Sequence, residues 1–293
     1  MKKILCLVLL YSSLCFGVEF TWLGTTAIIL KSDDKTLMFD PYITHPNILI
    51  AALFKKIDSD KSVVKKWLKL ASIKDINYVI VTHSHYDHIL DLGTIMKRYP
   101  KSIGFGSPSS KNFALGQNIP SDRFKIVAHE KEYSIDQVKM KTVKVAHGTH
   151  VLGYTFMDGA IEKPLKLPAS VWDLKQGDSF IYKLSGEFGN IVFHPTGAKS
   201  PYFDDYSKLK TDVLFIGIAK RGSTEKQIKE IISEIKPKIV IPIHFDNFFF
   251  ELNKSPSNLP GINLEEWKAT MKEKYPSAKV IIPKVSEWIT IPE

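Results

Sequence analysis

The sequence predicts an α/β protein in which two β-sheets pack face to face and helices cover the outside, a four-layer αββα sandwich. Short β-branched and aromatic runs bounded by turn residues recur along the chain and predict strands. In the first half, patterns of helical period fall between these runs, and several strand-like runs later follow one another in series. This succession is typical of two packed sheets with helices on their outer faces.

Residues 1–17 have the composition of a secretory signal peptide. Two lysines lead an apolar run over residues 4–11, and small residues follow before the expected cleavage point. Both cysteines of the chain, Cys6 and Cys15, lie in this leader, so the mature chain would contain neither a thiol nor a disulfide. Leu14 stands where lipid attachment to Cys15 would need a small residue, which disfavours a lipoprotein. We therefore expect a periplasmic or secreted protein.

Residues 18–293 would remain after cleavage, and about 276 residues are enough for a single domain with a large core. The apolar run of the leader is too short to span a bilayer, and we expect no transmembrane segment in the rest. The formal charge of +9 falls to +7 without the leader, which carries two lysines and no acid. A basic chain favours anionic partners, but its lysines form no block of five or more, so we expect no dedicated nucleic-acid module.

Short strands open the predicted domain. The pattern predicts strands at residues 20–23, 27–30 and 35–39, with a turn at residues 32–34. Residues 43–74 then form a helical insertion, because apolar residues recur there at spacings of three and four. Two interpretations of this insertion stay open. Its helices pack against the domain as ordinary structure, or they form a lid that adds apolar surface to a substrate pocket.

Strands and helices alternate after the insertion. The predicted strands are residues 79–81, 102–105, 124–128, 132–135, 138–146, 178–184, 189–193, 213–218 and 238–243. The predicted helices are residues 90–99, 109–115, 224–236 and 264–275. Two β-rich stretches at residues 280–283 and 288–291 are expected to form sheet edges.

A cluster of candidate metal ligands follows the strand-like run at residues 79–81. His83, His85, Asp87 and His88 occur there in the pattern H-x-H-x-D-H. Alternation along the strand lets the imidazoles of His83 and His85 leave its end on one side. Neutral imidazole nitrogens and a carboxylate suit zinc, with manganese or iron as alternatives. The strand-to-turn context predicts a metal site and not a histidine-rich surface loop.

Further motifs follow strand-like runs elsewhere: Phe39-Asp40-Pro41 early in the chain, His147 near its middle and His244 in its second half. With these motifs, the chain resembles the metallo-β-lactamase-fold hydrolases over about residues 19–250. The opening Phe20-Thr21-Trp22-Leu23-Gly24 is most similar to the branch that contains ascorbate-phosphate lactonases and N-acyl-phosphatidylethanolamine phospholipase D-like enzymes.

The resemblance implies a site for two metal ions. It assigns three ligands to each ion: His83, His85 and His147 to one, and Asp87, His88 and His244 to the other. A metal-bound hydroxide would attack a carbonyl or phosphoryl centre, and Asp87 would accept a proton as the intermediate collapses. In the family, the residue that matches Asp40 does not bind metal but orients the metal-binding loop by hydrogen bonding.

The chain departs from the family pattern at residues 191–197. Family members usually carry a bridging aspartate after this strand. In this chain Thr196 takes that position, or Pro195 if the alignment is shifted by one residue. Neither residue has a carboxylate that could bridge two cations, so we expect Thr196 to lie beside the ions without binding them. Without that carboxylate, we expect the second ion to be held less tightly. Three outcomes stay open: a single-metal enzyme, a two-metal enzyme in which His194 is a further ligand, or a catalytically degenerate metal-binding protein.

Two features concern the substrate. His150 lies three residues after His147 and is a candidate catalytic residue that would contact the substrate or leaving group. The aromatic run at residues 245–250 begins beside a metal ligand, so its first members either line the pocket or fill the core. Together with the insertion, this run suggests an apolar or acyl-bearing small molecule. His45 and His129 belong to no ligand pattern, and we expect them to be incidental.

These features favour an exported metal-dependent hydrolase that cleaves an ester, lactone or phosphodiester bond. The alternative is a metal-binding protein that has lost catalysis with the bridging carboxylate. The fold hosts many chemistries, so the substrate does not follow from it.

Overall fold

Two seven-stranded sheets face each other in the computed structural model, which describes residues 17–32, 35–48, 52, 56–147, 156–219 and 223–292. Across the first sheet the strands are Trp288–Thr290 (β14), Glu19–Trp22 (β1), Ile28–Ser32 (β2), Lys35–Phe39 (β3), Tyr78–Ile80 (β4), Ile103–Gly106 (β5) and Phe124–Ile126 (β6). Across the second they are Lys279–Val280 (β13), Ile239–Ile243 (β12), Val213–Gly217 (β11), Ile191–His194 (β10), Ser179–Gly186 (β9), Val138–Val145 (β8) and Glu132–Ile135 (β7).

Both sheets are mixed. In the first sheet, β14, β1, β2 and β3 pair antiparallel, and β3 to β6 pair parallel. In the second, β10 to β13 pair parallel, and β7 to β10 pair antiparallel. The two β-rich stretches near the C-terminus are edge strands, as predicted. The predicted α/β sandwich of two packed sheets is therefore confirmed.

Helices flank the sheets. They are Lys61–Leu70 (α1), Tyr86–Ile89 (α2), Leu92–Arg98 (α3), Pro108–Gly116 (α4), residues 224–235 (α5) and Leu264–Lys274 (α6). The middle of α5, Ile228–Ile232, is π-helical, and its first turn is capped by Ser223, whose Oγ accepts the N–H of Lys226 at 3.2 Å. In the part of the chain that the structure describes, no helix is both long and apolar enough to cross a membrane.

Aromatic side chains fill the space between the sheets. Phe39 of β3 stacks on Phe193 of β10 with ring centroids 4.0 Å apart and planes 1° apart. Phe20 of β1 meets Phe215 of β11 edge-on at 5.2 Å. All four rings are fully buried, so the core continues from one sheet into the other.

The two sheets are also joined by hydrogen bonds just below the predicted metal motif. The hydroxyl of Tyr182 on β9 donates to the carbonyl of Val81 at 2.8 Å. The N–H of Phe180 donates to the carbonyl of Thr82 at 3.0 Å. The segment that enters the metal motif is therefore fixed to the second sheet before its first histidine.

The insertion contributes ordinary packing through α1. Asp60 caps this helix and accepts the N–H groups of Ser62 and Val63 at 2.8 and 3.1 Å. The apolar residues Val64 and Trp67 face the core and are buried. This part of the insertion follows the packing interpretation and not the lid interpretation.

A buried carboxylate anchors the insertion beside the metal motif. Asp91 accepts the N–H groups of Ile43 and Thr44 at 2.6 and 2.8 Å. It also accepts the hydroxyl of Ser59 at 2.5 Å. Both ends of the segment from Ile43 to Ser59 are therefore fixed to the chain that immediately follows His88.

Candidate metal centre

The candidate ligands lie where strands end at one edge of the two sheets. Asp40 directly follows β3, and His83 comes three residues after β4. In the second sheet, His147 and His244 follow β8 and β12. Because β8, β10 and β12 run in the same direction, their carboxyl ends share that edge. Residues from both halves of the chain therefore converge on one cleft.

Six of the predicted ligands form two groups of three. Within each group, one potential ligand atom from each residue lies within 4.8 Å of the others. The groups are His83, His85 and His147, and Asp87, His88 and His244. The rings of His83 and His88 pack with centroids 3.8 Å apart, so the two groups adjoin. This is the grouping that the family resemblance implies.

The first group consists of imidazoles alone. His83 Nε2 lies 3.2 Å from His85 Nδ1, and the centroid of the His147 ring lies 4.8 Å from that of His83. His83 and His85 are buried, and His147 is half-buried. Burial, followed by the charge of neighbouring histidines such as His88, lowers the pKa of His83 well below its usual value. A neutral His83 keeps a nitrogen lone pair that can bind a cation.

The second group adds a carboxylate. Asp87 Oδ2 lies 3.6 Å from His88 Nε2 and 3.4 Å from His244 Nε2. Burial acts to raise the pKa of Asp87, but the charge of His88 and the hydrogen bond from His244 outweigh it and hold the pKa well below its usual value. Asp87 is therefore ionised at neutral pH and offers a charged ligand.

Asp40 orients His88 from below. Its Oδ2 lies 2.7 Å from His88 Nδ1, and the fully buried carboxylate also accepts the N–H and the hydroxyl of Thr82, both at 2.7 Å. Because a carboxylate only accepts, His88 carries its hydrogen on Nδ1. Nε2, on the side of Asp87, is then the nitrogen that would give up a proton to bind a cation.

The residues of both groups fit a zinc ion. Three imidazoles, or two imidazoles and a carboxylate, are ligand sets of catalytic zinc sites, which leave a further position open for water or substrate. The arrangement of Asp40, His88 and the ligand-facing Nε2 is the one in which a carboxylate fixes the tautomer of a metal-binding histidine. The chain thus presents the ligands and the supporting hydrogen bond that a metal would need.

The site departs from the family pattern at the end of β10, as expected from the sequence. His194 Nδ1 accepts the N–H of Gly197 at 3.1 Å, so a neutral His194 carries its hydrogen on Nε2. A nitrogen that carries hydrogen has no lone pair for a cation, and His194 belongs to neither group of three among the described residues. Thr196 is buried, and its hydroxyl accepts the N–H of Ala198 at 3.4 Å. This geometry disfavours His194 as a further ligand.

A cavity of about 330 Å³ opens above the two groups. Its floor includes His85, Asp87, His147 and His244. Among the described residues that line it, the only charged or titratable groups are these four and the hydroxyl of Tyr86. A substrate in this cavity would place its reacting bond over the candidate metal ligands.

The residues that line the cavity show which parts of the chain form its walls. Ile48 and Ala52 of the insertion line it, so this part of the insertion adds apolar surface to the cavity, and its role as a lid stays a prediction. Of the aromatic run, Phe248 and Phe249 line the cavity. Phe245 instead fills the core, where its ring stacks on Trp22 with centroids 4.9 Å apart. The first member of the run is therefore structural, and later members face the cavity.

A third wall of the cavity was not predicted from the sequence. Phe156, Met157 and Trp172 line the cavity and belong to the connection between β8 and β9. This connection is fixed to the metal motif, because the N–H of Ser84 donates to the carbonyl of Gln176 at 2.8 Å. It shows no hydrophobic period, but its length was a usable signal, since long irregular connections in compact domains are often functional.

Three histidines outside the two ligand groups were also assessed from the sequence: His150, His45 and His129. His150, the candidate catalytic residue, lies outside the described residues. His45, expected to be incidental, is buried with its ring stacked on Tyr42 at 4.4 Å, and burial lowers its pKa to about 3. It is therefore a neutral core residue. His129 lies on the surface and accepts the N–H of Lys144 at 3.1 Å.

A buried acid supports His244 through the backbone. The N–H of His244 donates to the carbonyl of Thr25 at 2.8 Å, and the N–H of Thr25 donates to Asp246 Oδ1 at 2.9 Å. Burial raises the pKa of Asp246 from 3.8 to about 7, against the hydrogen bond from Thr25, which lowers it. The turn that carries Thr25 is therefore held to the end of β12 by a carboxyl group that titrates near neutrality.

The comparisons with known proteins agree with this geometry. A sequence model described as "Beta-lactamase superfamily domain" matches residues 19–244. The chain belongs to the metallo-β-lactamase superfamily. A UPF0173 metal-dependent hydrolase of Sulfurisphaera tokodaii is 27% identical to it over 78% of this chain and 85% of the relative. Another, from Thermodesulfovibrio yellowstonii, is 24% identical over 99% of this chain and 100% of the relative.

A solved structure shares the fold of this superfamily member. The metallo hydrolase Igni18 of the archaeon Ignicoccus hospitalis superposes with a TM-score of 0.63 at 16% sequence identity, over 94% of this chain and 99% of that chain. With the family and the two ligand groups, the chain is a metal-dependent hydrolase of this superfamily. The lactonase and phospholipase D-like branch stays a prediction.

Replacing Asp40 should weaken metal binding. In Asp40→Asn, only one of the two terminal atoms still accepts, so the amide cannot accept both the N–H of Thr82 and the Nδ1–H of His88, and His88 loses the carboxylate that keeps its hydrogen on Nδ1. We expect zinc affinity to fall about 10–100-fold, measured by competition with a chromogenic chelator. The exposed Asp122→Asn serves as the control. Equal zinc affinity in Asp40→Asn and the wild type would contradict this role of Asp40.

Asp246 should make the stability of the metal-free protein depend on pH. Its pKa in the folded protein is raised to about 7 from 3.8, so the stability that its neutral form contributes is present below pH 4 and is lost as the pH rises through 7. Asp246→Asn keeps an oxygen for Thr25 but does not titrate. We expect the unfolding free energy of the wild type, relative to this variant, to fall between pH 4 and about pH 8 in urea titrations with a chelator. A constant difference would contradict the shifted pKa.

Proposed function

We propose that the protein is an exported zinc-dependent hydrolase that cleaves an ester, lactone or phosphodiester bond in a small molecule with an apolar or acyl group. The cavity above the candidate ligands is the observation that carries this proposal. Its floor holds donors of both ligand groups, and its walls are formed by apolar residues such as Ile48 and Phe248. An apolar cavity with a few convergent polar groups is what an acyl-bearing substrate requires.

The composition of the cavity walls favours a substrate whose remaining part is an acyl group and not an anionic group. Among the described residues that line the cavity, there is no lysine or arginine. The described walls therefore favour contact with an apolar part of the substrate, and the described floor offers the candidate metal ligands to the reacting group.

A bound zinc ion would supply Lewis acidity, which lowers the pKa of water toward neutrality and polarises the bond to be cleaved. The chain's own residues have separate tasks. Asp87 is held ionised by its histidine neighbours and lies on the cavity floor, where it offers a charged ligand. The same neighbours stabilise the carboxylate and therefore act against its expected role as a proton acceptor. The apolar walls exclude water from the rest of the substrate.

The charge around the two ligand groups is consistent with this chemistry. The chain lacks a carboxylate at Thr196, and Asp40 lies buried behind His88 as the family pattern requires. Asp40 and Asp87 together offset part of the charge that two divalent ions would bring. Because Asp40 belongs to the family pattern, it does not replace the missing carboxylate, and the second ion should be held less tightly.

A catalytically degenerate metal-binding protein is the second candidate. One observation favours it: the end of β10 offers Thr196 and a His194 whose Nδ1 is already engaged by Gly197, where the family pattern has a bridging aspartate. The branch of lactonases and phospholipase D-like enzymes and the exported location belong to our main proposal. The leader-like residues 1–17 support export.

Metal analysis and hydrolysis of three substrate classes test the proposal. The zinc-loaded protein should hydrolyse at least one of p-nitrophenyl hexanoate, an N-acyl homoserine lactone and bis-p-nitrophenyl phosphate. His83→Ala removes a ligand, so its kcat/KM should fall by more than the ~10–100-fold loss expected when only the hydrogen-bond partner of a ligand is removed. His129→Ala, which removes a surface histidine outside the site, should keep wild-type activity.

The outcomes separate the two candidates. Bound zinc without hydrolysis of any substrate class would favour the degenerate metal-binding protein. A protein that retains no zinc would contradict both candidates, and an equal loss of activity in His83→Ala and His129→Ala would contradict the hydrolase.

A further inference from the structure

Trp172 lies at the outer end of the cavity. It lines the cavity together with the floor residues, but 46% of its surface is exposed, whereas His85 is 2% and His244 is 5% exposed. The indole is therefore at the mouth of the cavity, and the candidate metal ligands are at its deep end. Phe156, which is 42% exposed, lies beside the indole, and an exposed apolar patch of this kind can mark a ligand-binding site.

The backbone around Trp172 is held in place. Val171–Asp173 forms a short 3₁₀ turn, and Ser170 caps it by accepting the N–H of Trp172 at 3.3 Å. The N–H of Ser170 donates in return to Asp173 at 3.2 Å, which completes a capping box. The position of the indole is thus set by its own turn.

The indole also bridges two walls of the cavity. Its Nε1–H donates to the carbonyl of Ala52 at 3.0 Å, and Ala52 belongs to the insertion. Next to this bond, Ile57 and Ala169 exchange two backbone hydrogen bonds at 2.8 and 3.1 Å. The insertion and the connection between β8 and β9 are therefore joined across the mouth, with the indole at the junction.

A second ring supports the indole. Phe156 meets Trp172 edge-on with ring centroids 6.5 Å apart and is itself 42% exposed. Phe156 also lines the cavity. The two rings form an apolar rim around the entrance, opposite the ligand groups on the floor.

We propose that Trp172 determines the substrate specificity of the enzyme by limiting the length of the acyl group that the cavity accepts. A substrate with its reacting bond on the floor would extend its acyl chain along the apolar walls until it meets the indole. Each further methylene that is buried should raise kcat/KM about fourfold until the chain reaches Trp172, and longer chains should gain nothing more. This inference rests on the proposed function, because it assumes an acyl-bearing substrate.

The test uses the zinc-loaded full chain and p-nitrophenyl esters from acetate to dodecanoate. Trp172→Ala should move the chain length at which the gain in kcat/KM stops upward by two or more carbons. Trp172→Phe, which keeps an aromatic ring but loses the hydrogen bond to Ala52, should shift this length less. Ile126→Ala removes an apolar side chain of similar exposure outside the cavity and should leave the profile unchanged.

Binding measurements keep this test separate from the test of hydrolysis. Calorimetric titration with the carboxylates from butanoate to dodecanoate should show affinity that rises with length and then levels off, with the plateau at longer chains in Trp172→Ala. If the carboxylates bind in this way, with the plateau shifted in Trp172→Ala, but the wild type hydrolyses no ester, lactone or phosphodiester, the proposed function fails and the limit that Trp172 sets on acyl length holds. An identical chain-length profile in Trp172→Ala and the wild type, or no binding of any carboxylate, would overturn the role of Trp172.

Discussion

The hydrogen bond between Asp40 and His88 is the interaction on which the site depends. It joins the end of β3 to the metal motif and fixes the tautomer of His88, so that Nε2 faces Asp87. The same carboxylate accepts both polar hydrogens of Thr82, which directly precedes the motif. All of these atoms are buried, where a charged hydrogen bond is strong and a missing partner is costly. The first sheet therefore shapes the motif before any ion binds.

The rest of the molecule can be understood as support for this cleft. Stacked rings such as Phe39 and Phe193 hold the two sheets together directly beneath it. Asp91 anchors the insertion that supplies one apolar wall. Where the family pattern has a bridging carboxylate, this chain has Thr196, and the buried charge of Asp40 lies on the other side of the cleft. The site thus keeps its imidazoles and has lost one acid.

The sequence predicted what local patterns and spacing encode. Strand-like runs along the chain predicted the two sheets, and the motif at residues 83–88 predicted a metal site, whereas the grouping of His147 and His244 with that motif came from the family resemblance. Three details could not be predicted because they depend on distant contacts. The tautomer of His194 is set by the N–H of Gly197, the burial of His45 depends on its stacking against Tyr42, and Trp172 lies in a segment without hydrophobic period. Such details follow from tertiary packing, which no local pattern contains.

The central claim is that the two ligand groups bind metal ions side by side on the cavity floor. Diffraction from zinc-loaded crystals at wavelengths on either side of the zinc absorption edge tests it most directly. We predict anomalous density between His83, His85 and His147, and a second peak between Asp87, His88 and His244. We predict none within ligand distance of His194. Anomalous density at neither group, or zinc bound only elsewhere on the chain, would contradict this account.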